Sequence, residues 1–339
     1  MEQMRLGRTE LTIARTGFGA LPIQRVSRDE AAALLRRAVE AGVTFFDTAR
    51  RYSDSEEKIG YALADVRDEI VIATKVNAPD RAGVLALTET SLANLKTDNV
   101  DVLQLHWPRE LPDPDDPESA YAGLVEAQRK GMTRFIGISH HAREKAAEAV
   151  ASGLYDTLQF PLNHISSEAD LALIDLCGEH DVGVIAMKAL SGGLITDAAT
   201  SFAFLRQYDN VVPIWGVQRP EELEQILALE AKPPALDDKM WRRVQKDREE
   251  LAGDFCRACG YCLPCPADIP IPMAARMGLL LRRMPWQQFM TDDWKERMHR
   301  IENCTECGQC RERCPYGLDT PNLLRKMLEN YDAFVAAHT

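Results

Sequence analysis

The chain has 339 residues, of which 45% are hydrophobic and 27% charged, the composition of a folded globular protein of about two domains. Its 40 basic and 52 acidic side chains give a formal net charge of −12, which argues against a nucleic acid or an anionic membrane surface as partner. The opening MEQMRLGRTELT lacks the apolar core of a signal peptide, and no stretch approaches the ~18 uninterrupted apolar residues of a membrane span. The sequence therefore predicts a cytoplasmic protein.

Charge and cysteine are both unevenly distributed. Residues 251–339 carry eleven basic and eleven acidic side chains, so residues 1–250 hold the whole net charge of −12. Eight of the nine cysteines lie between Cys256 and Cys314. In a reducing compartment, closely spaced thiols are expected to be metal ligands rather than disulfide partners. Cys177, on the apolar face of DLALIDLCGEH, is expected to be a core residue.

Short apolar strands alternate with amphipathic helices from the first quarter of the chain onward. The predicted strands, in order, are GFGA, VTFFDT, EIVIATKV, VDVLQLHW, TRFIGIS, TLQF, VGVIAMKAL and NVVPIWG. Eight buried strands, each followed by a helix, predict a (β/α)8 TIM barrel. An open doubly wound sheet is the alternative, but it would normally carry a GxGxxG turn that GFGALP does not supply. The N-terminal MRLGRTELTIAR predicts a hairpin at the barrel floor.

A change of pattern marks the end of the barrel. The paired prolines of AKPPALDDK indicate a linker, and the charged WRRVQKDREELAG that follows predicts a helix. We therefore expect a barrel at residues 1–235, a linker helix at 236–250, and a small, cysteine-rich, mostly helical domain at 251–339.

Four ionisable side chains lie where a barrel enzyme holds its catalytic groups, at the carboxyl ends of strands. Asp47, Lys75 and His106 each close a predicted strand, and Tyr52 follows in the loop after Asp47. Any one of them alone is more often a packing or loop residue. Together they suit carbonyl reduction, with Lys75 lowering the pKa of Tyr52, Asp47 holding Lys75, and His106 donating to the carbonyl oxygen.

The segments around these residues resemble those of a known family. FDTARRYSDSEEKIG, ATK and LHWP are similar to the tyrosine, lysine and histidine segments of the aldo-keto reductase superfamily, and the resemblance covers roughly residues 4–230. It implies that Asp47, Tyr52, Lys75 and His106 form a catalytic tetrad with Tyr52 as general acid. It also implies transfer of a hydride from a reduced nicotinamide to a carbonyl, without a metal.

The resemblance further implies a set of cofactor contacts. Ser139 and Gln159 correspond to residues that hold the nicotinamide carboxamide, with Asn163 nearby. The structural alternative is that these polar residues cap strand ends. Met187 stands where many members have an aromatic residue against the nicotinamide, and a thioether can also pack on a ring face.

At the adenosine end, this chain departs from the family. Gly216 and Glu222 stand where the family has the Lys and Arg that clamp the 2′-phosphate of NADPH, which leaves Arg219 as the nearby cation. Neighbouring carboxylates would repel that phosphate. Both NADPH and NADH therefore remain open as the cofactor.

Two cysteine runs give the second domain its chemistry. The run CTECGQCRERCP has the C-x₂-C-x₂-C-x₃-C-P spacing of bacterial ferredoxins, in which the fourth cysteine ligates the other [4Fe-4S] cluster, and CRACGYCLPCP is one residue shorter. Two Cys₄ zinc sites are the alternative. The arrangement resembles a subset of aldo-keto reductases with a C-terminal ferredoxin-like extension. Crossover predicts two ligand sets, Cys256, Cys259, Cys262 and Cys314 for one cluster and Cys304, Cys307, Cys310 and Cys265 for the other.

The combination of a reductase barrel and clusters leaves the role of the clusters open. A hydride carries two electrons, each cluster passes one, and no flavin motif is evident. The clusters are thus structural, sense redox state, or exchange electrons through another cofactor or a redox partner protein. The expected function is reduction of a small-molecule carbonyl with NADPH or NADH. The alternative is a redox-responsive nicotinamide-binding or electron-transfer protein that uses the barrel as a sensor.

Overall fold

A closed barrel of eight parallel strands forms the first part of the computed structural model, which describes residues 1–251 and 255–338. This confirms the TIM barrel and excludes the open doubly wound sheet. A short antiparallel hairpin of β1 (Gln3–Arg5) and β2 (Thr12–Ala14) precedes it. The barrel strands are β3 (Gly17–Gly19), β4 (Phe45–Asp47), β5 (Val71–Val76), β6 (Val100–His106), β7 (Thr133–Ser139), β8 (Thr157–Pro161), β9 (Gly183–Met187) and β10 (Val211–Gly216).

One helix follows each barrel strand, and several begin at a side-chain cap. Ser27 and Ser167 each form a capping box with the acidic residue three positions on, and Asp80 and Ser119 accept from backbone N–H groups of the first turn. The helices are α1 (Arg28–Glu40), α2 (Ser55–Leu63), α3 (Arg81–Leu95), α4 (Ala120–Arg129), α5 (Arg143–Ala151), α6 (Glu168–Glu179), α7 (Ala198–Leu205) and α8 (Pro220–Ala231).

The hairpin fills the amino-terminal end of the barrel. Met4, Leu6, Leu11 and Ile13 are buried in one cluster with inward-facing apolar side chains of the strands, among them Phe45. Burying four apolar side chains of this size stabilises the fold by about 1.5–3 kcal/mol each. The opposite, carboxyl-terminal end of the strands therefore remains for a site.

Strand register determines which residues meet at that end. Lys75 lies beside Gln104, His106 beside Ser139, and Ser139 beside Gln159 in successive parallel pairs. Because side chains alternate between faces with a period of two, Gln104 and His106 share one face of β6. Polar groups from neighbouring strands are therefore stacked side by side.

The chain forms two compact units. The first comprises Met1–Ala189 and Ala198–Trp241, and the second comprises Leu190–Asp197 and Arg242–Thr339. This division differs from the expected boundaries chiefly because residues 190–197, the loop between β9 and α7, belong to the second unit. The remaining helices are α9 (Asp238–Glu250), α10 (Ile271–Ala274), α11 (Met277–Arg283), α12 (Asp292–His299), α13 (Gln309–Glu312) and α14 (Thr320–His338).

Two buried arginines bind the loop 190–197 within the second unit. Arg276 donates to the carbonyl oxygen of Gly192 at 2.9 Å, and Arg283 Nε donates to the carbonyl oxygen of Leu194 at 2.6 Å. Arg283 also pairs with the buried carboxylate of Asp247 at 2.6 Å. The loop is therefore an integral part of the helical unit. Among residues 1–251 and 255–338, no helix has both the length and the apolar character required to cross a bilayer.

Candidate active site and cysteine clusters

A buried ion pair lies at the centre of the site. Lys75 on β5 donates from Nζ to both carboxylate oxygens of Asp47, at 2.7 and 2.8 Å, and to the carbonyl oxygen of Thr48 at 2.6 Å. Burial raises the pKa of Asp47 and lowers the pKa of Lys75, and the charge of each partner counteracts the effect on the other. Three acceptors thus fix the ammonium group in place.

Tyr52 and His106 complete the group of four. The ring centroids of Tyr52 and His106 lie 5.8 Å apart in an edge-to-face arrangement, and Lys75 Nζ lies 5.2 Å from the centroid of the Tyr52 ring. The turn that carries Tyr52 is closed by hydrogen bonds from Tyr52 N to the Ala49 carbonyl and from Ser55 N to the Tyr52 carbonyl. The structure therefore brings together all four side chains that the sequence singles out.

The acid–base properties of the site differ from one expectation. The sequence analysis expects Lys75 to lower the pKa of Tyr52. In the structure, burial and then the charge of Asp47 raise the pKa of Tyr52, and the charge of Arg51 opposes them. The physical reason is that Asp47 neutralises Lys75 at 2.7 Å. Burial, with the charges of Lys75 and Arg51, lowers the pKa of His106 to about 3, so His106 is neutral at neutral pH.

Two glutamines extend the network to the next strands. Gln159 donates from Nε2 to Asp47 Oδ1 at 3.2 Å, and Gln104 donates from Nε2 to Gln159 Oε1 at 3.0 Å. Sequence reasoning missed Gln104. The signal was available, because a polar residue two positions before His106 in an apolar strand must point to the same face.

Glu56, which sequence reasoning also missed, is a second buried carboxylate behind the site. It accepts a hydrogen bond from Thr74 Oγ1 at 2.7 Å and pairs with Arg50, and its charge raises the pKa of the neighbouring Lys75. The only sequence signal for a role of Glu56 near the site was weak: it lies in the first turn of α2, directly after the loop 48–54 that carries Tyr52 (the tyrosine loop). Its buried partners come from elements far apart in sequence.

The other predicted nicotinamide contacts lie on the carboxyl ends of β7, β8 and β9. Ser139 ends β7 and is buried. Asn163, after β8, donates from Nδ2 to the carbonyl oxygen of Lys188 at 2.9 Å, so part of its amide group is used within the loops. Met187 ends β9 and packs against the barrel core. Lys188 has φ of 60°, a left-handed conformation that is costly for a residue with a side chain.

The expected adenosine end lies at the start of α8. Gly216 ends β10, and Arg219 is the N-cap residue of α8. The Arg219 guanidinium donates to Glu222 Oε1 from two nitrogens, at 2.7 and 3.0 Å. The other oxygen of Glu222 accepts the backbone N–H groups of Gln218 and Arg219. The cation that the sequence left for a 2′-phosphate is therefore already paired.

The two cysteine runs follow the same backbone path. In the first run Ala258 and Gly260 have φ of 52° and 81°, and in the second run Glu306 and Gly308 have φ of 53° and 74°. Left-handed residues at such turns direct successive N–H groups to one side, a concavity that recurs at iron–sulfur sites. The two runs thus share the same pair of left-handed turns.

Cysteines of the two runs lie near one another, although within residues 1–251 and 255–338 no three Cys, His, Asp or Glu side chains are gathered closely enough to hold one metal ion. A small cavity of about 20 Å³ is lined by five cysteines of both runs, Cys262, Cys265, Cys304, Cys307 and Cys310. All nine cysteines are free thiols, and Cys177 is buried in α6 as expected for a core residue.

The first run has its own set of neighbours. Burial, with the charges of Cys256, Cys259 and Cys310, raises the pKa of Cys262 to about 12, so cysteines of both runs act on this thiol. The Arg257 guanidinium lies 4.7 Å from the centroid of the Tyr316 ring, two residues beyond Cys314. The turn that carries Cys314 therefore lies beside the first run, and thiol donors without a disulfide fit iron–sulfur ligation.

Comparison with known proteins gives two family matches. The model of the Aldo/keto reductase family matches residues 15–203, and the model of a 4Fe-4S dicluster domain matches residues 255–319. The first match covers most of the barrel, and the second covers all eight clustered cysteines.

Curated relatives align with the barrel part of the chain. Aldo-keto reductase YhdN of Bacillus subtilis is 27% identical over 219 residues, 59% of this chain and 65% of the relative. Methylglyoxal reductase DkgB of Salmonella typhi is 32% identical over 192 residues, 54% of this chain and 69% of the relative. The chain thus matches about two thirds of the length of these relatives.

Solved structures share the barrel. The thermostable aldo-keto reductase Tm1743, solved with the inhibitor epalrestat, is 26% identical with a TM-score of 0.62, and the match covers 73% of this chain and all of Tm1743. An aldo-keto reductase of Klebsiella pneumoniae, solved with NADPH, is 22% identical with a TM-score of 0.63 over 72% of this chain and 94% of that one. At 22% identity, the match with the Klebsiella pneumoniae structure shows a shared barrel fold.

Proposed function

Because the chain belongs to the aldo/keto reductase family, we propose that its barrel reduces a small-molecule aldehyde or ketone to an alcohol with a reduced nicotinamide cofactor. The observation that carries the proposal is the convergence of Asp47, Tyr52, Lys75 and His106 at the carboxyl ends of adjacent strands. Redox chemistry of this kind needs a proton donor that stays protonated in water-poor surroundings, and Tyr52 is such a group.

The roles of the four residues follow from their protonation states. The bound nicotinamide supplies the hydride that reduces the carbonyl carbon. The neutral imidazole of His106 donates a hydrogen bond to the carbonyl oxygen and orients it, and the Tyr52 phenol gives its proton to that oxygen as negative charge develops there. The Lys75–Asp47 ion pair lies beside the phenol, with Lys75 Nζ 5.2 Å from the centroid of the Tyr52 ring, and Asp47 holds Lys75 in position. The product is the alcohol.

Ser139 and Gln159 are the residues that we propose hold the nicotinamide carboxamide, and Met187 packs on its ring. Gln159 already links Asp47 to Gln104, so it also connects the cofactor to the tetrad. For the adenosine end, Arg219 is already paired with Glu222, which leaves Arg25, whose guanidinium donates to the side chain of Gln218 at 3.3 Å, as the nearby cation. The loss of the Arg219 charge to this pair keeps NADH as well as NADPH open as the cofactor.

For the second unit, we propose two [4Fe-4S] clusters with crossed ligands. Cys265 lines a cavity with Cys304, Cys307 and Cys310, which Cys262 lines as well, and Cys314 lies on the turn beside the first run. The clusters serve a structural or additional redox purpose, because a carbonyl reduction of this type needs no one-electron carrier. The ligands proposed for the first cluster are Cys256, Cys259, Cys262 and Cys314, and those for the second are Cys304, Cys307, Cys310 and Cys265.

Replacement of the proton donor tests the reductase function. Tyr52→Phe removes the phenolic proton and keeps the ring, so we expect turnover of simple aldehydes with NADPH or NADH to fall at least about 100-fold. Tyr61→Phe is the matched control, because Tyr61 is exposed on α2 and away from the tetrad. Unchanged turnover in Tyr52→Phe would refute Tyr52 as the acid, and wild-type protein that reduces no carbonyl with either cofactor would refute the function.

A further inference from the structure

The tyrosine loop is joined to β5 by two backbone hydrogen bonds. Thr48 N donates to the carbonyl oxygen of Ala73, and Arg50 N donates to that of Lys75, both at 2.9 Å. These bonds continue the parallel pairing of β4 with β5 into the first residues of the loop. Beyond Arg50 the chain turns, and Tyr52 lies on that turn. The position of its phenol therefore depends on what holds the rest of the loop.

The side chain of Arg50 holds that turn. Its guanidinium donates from Nη2 to the carbonyl oxygen of Ser53 at 3.2 Å, and from Nη1 to the carboxylate of Glu56. Tyr52 lies between Arg50 and Ser53 in sequence, so one side chain closes the turn on both sides of it. Ser53 has φ of 36°, a left-handed conformation that persists only where surrounding contacts hold it.

Glu56 connects this contact to β5 through a second route. The Glu56 side chain is only 1% exposed, and both of its oxygens are used. Oε1 accepts from Thr74 Oγ1 at 2.7 Å, and Oε2 accepts from Arg50 and, at 3.4 Å, from Asn94 Nδ2 on α3. Thr74 is fully buried and immediately precedes Lys75. A chain of side-chain contacts thus runs from the tyrosine loop to the strand that carries Lys75.

The form of this contact suits a positioning role. A buried ion pair is weak evidence for stability, because removing two charges from water offsets much of their attraction. A guanidinium held by a carboxylate and a carbonyl oxygen does, however, fix geometry, since its donors form a rigid fork. Proton transfer from a phenol needs such geometry, because the donor must lie within hydrogen-bond reach of the accepting oxygen.

We propose that Arg50 and Glu56 are positioning residues that hold the Tyr52 phenol in place beside Lys75 for proton transfer to the carbonyl. This inference rests on the proposed reductase function. Both residues act through Tyr52 and exchange no proton with the substrate. Loss of the pair should slow proton transfer but leave the binding of NADPH or NADH unchanged, because the proposed nicotinamide contacts lie on β7, β8 and β9.

Two variants interrupt the connection at different points. Glu56→Gln removes the charge and keeps the shape, whereas Thr74→Val removes only a hydroxyl and keeps every charge. We expect kcat for 4-nitrobenzaldehyde to fall about tenfold in Glu56→Gln and less in Thr74→Val, with the Kd of NADPH or NADH unchanged. Thr74→Ser retains the hydroxyl and should restore the wild-type kcat.

A solvent isotope effect separates positioning from a loss of folded protein. The ratio of kcat in H₂O to kcat in D₂O should rise in Glu56→Gln and in Thr74→Val, because a misplaced phenol makes proton transfer the slower step. The fraction of folded protein cancels in this ratio. A variant that is merely less stable would therefore leave the ratio at its wild-type value.

Asp101→Asn is the matched control. Asp101 pairs with Arg67 at 2.9 Å, and the two side chains are 4% and 15% exposed, close to the 1% and 19% of Glu56 and Arg50. This pair lies at the amino end of β6, whereas the tyrosine loop follows the carboxyl end of β4. We expect Asp101→Asn to lower the melting temperature, as Glu56→Gln does, but to keep the wild-type kcat and isotope ratio.

Three outcomes would overturn the positioning role while the reductase function stands. They are wild-type kcat in Glu56→Gln and Thr74→Val, a fall in kcat without a rise in the isotope ratio, and an equal fall in Asp101→Asn. Wild-type protein that reduces no aldehyde with either cofactor would instead overturn the function, and this inference with it.

Discussion

His106 shows how burial fixes the protonation state of a single group. An ordinary histidine titrates near pH 6.5, but burial with the charges of Lys75 and Arg51 lowers the pKa of His106 to about 3. The imidazole therefore remains a neutral hydrogen-bond donor throughout the physiological range. Tyr52 remains protonated for the complementary reason, since burial and Asp47 raise its pKa.

This protonation state has a measurable consequence for pH dependence. Since His106 gains a proton only near pH 3, lowering the pH from 8 to 5 leaves it neutral. We expect kcat/KM for a neutral aldehyde to show no inflection near pH 6.5 that depends on His106. His180→Gln, at an exposed histidine, is the control. An inflection present in the wild-type protein and in His180→Gln, but absent from His106→Gln, would contradict the assignment.

At the residue scale, the sequence predicts the positions of the four strand-end groups but not the groups that support them. Asp47, Lys75 and His106 are visible because each is ionisable at the end of an apolar run. The partners of Glu56 are set by packing between α2, β5 and the tyrosine loop, which no local pattern encodes. The pKa of Tyr52 differs from the expectation for the same reason, because it depends first on burial and then on the charge of Asp47, neither of which a local pattern encodes.

Among the elements, the first turn of α8 is where we expect the choice between NADPH and NADH to be decided. Glu222 caps this helix and pairs with Arg219. Glu222→Gln should retain much of the cap while it frees the guanidinium, so we expect the Kd of NADPH to fall about fivefold relative to that of NADH, roughly 1 kcal/mol. Glu221→Gln removes the same charge from an exposed neighbour and frees no arginine. Equal shifts in both variants would show that general charge, not the pair, decides the preference.

The cysteine turns allow a second test at this scale. Cys265→Ser and Cys314→Ser each remove one ligand from a different proposed cluster. We expect wild-type protein to contain about eight iron atoms per chain, and each variant to lose about half of them or to show the altered spectrum of one cluster. If both variants affect one and the same cluster, the crossover is wrong, and stoichiometric zinc without iron would replace the clusters with Cys₄ sites.

Strand order, helix order and the cysteine motifs are predictable at the element scale because each rests on a local period. The barrel follows from eight apolar runs at regular intervals, and the hairpin follows from two apolar stretches around a turn. The pairing of Arg219 with Glu222 is harder to predict from the sequence, because the same residues allow a free or a paired guanidinium. Their helical spacing of three residues permits the pair without requiring it.

In the whole molecule, the proposed two-electron site and the proposed one-electron centres belong to a single chain. The barrel unit contains every residue that we propose for the carbonyl reaction, and the second unit contains every proposed iron ligand. Since no flavin motif is evident to split a hydride into single electrons, we expect the visible absorbance of anaerobic protein to persist when NADPH or NADH is added without a carbonyl substrate. Bleaching by either nicotinamide would reveal electron exchange and require a mediator. Dithionite provides the control that the chromophore is reducible.

The loop 190–197 connects two barrel elements but belongs to the second unit, which affects what a truncated barrel would retain. A barrel truncated after Trp241 would retain this loop but lose Arg276 and Arg283, the donors to Gly192 and Leu194. Two carbonyl groups and the apolar side chains of Leu194 and Ile195 would lose their partners in the second unit. An isolated fragment ending at Trp241 would therefore contain one strand-to-helix connection, the loop between β9 and α7, without the donors that hold it.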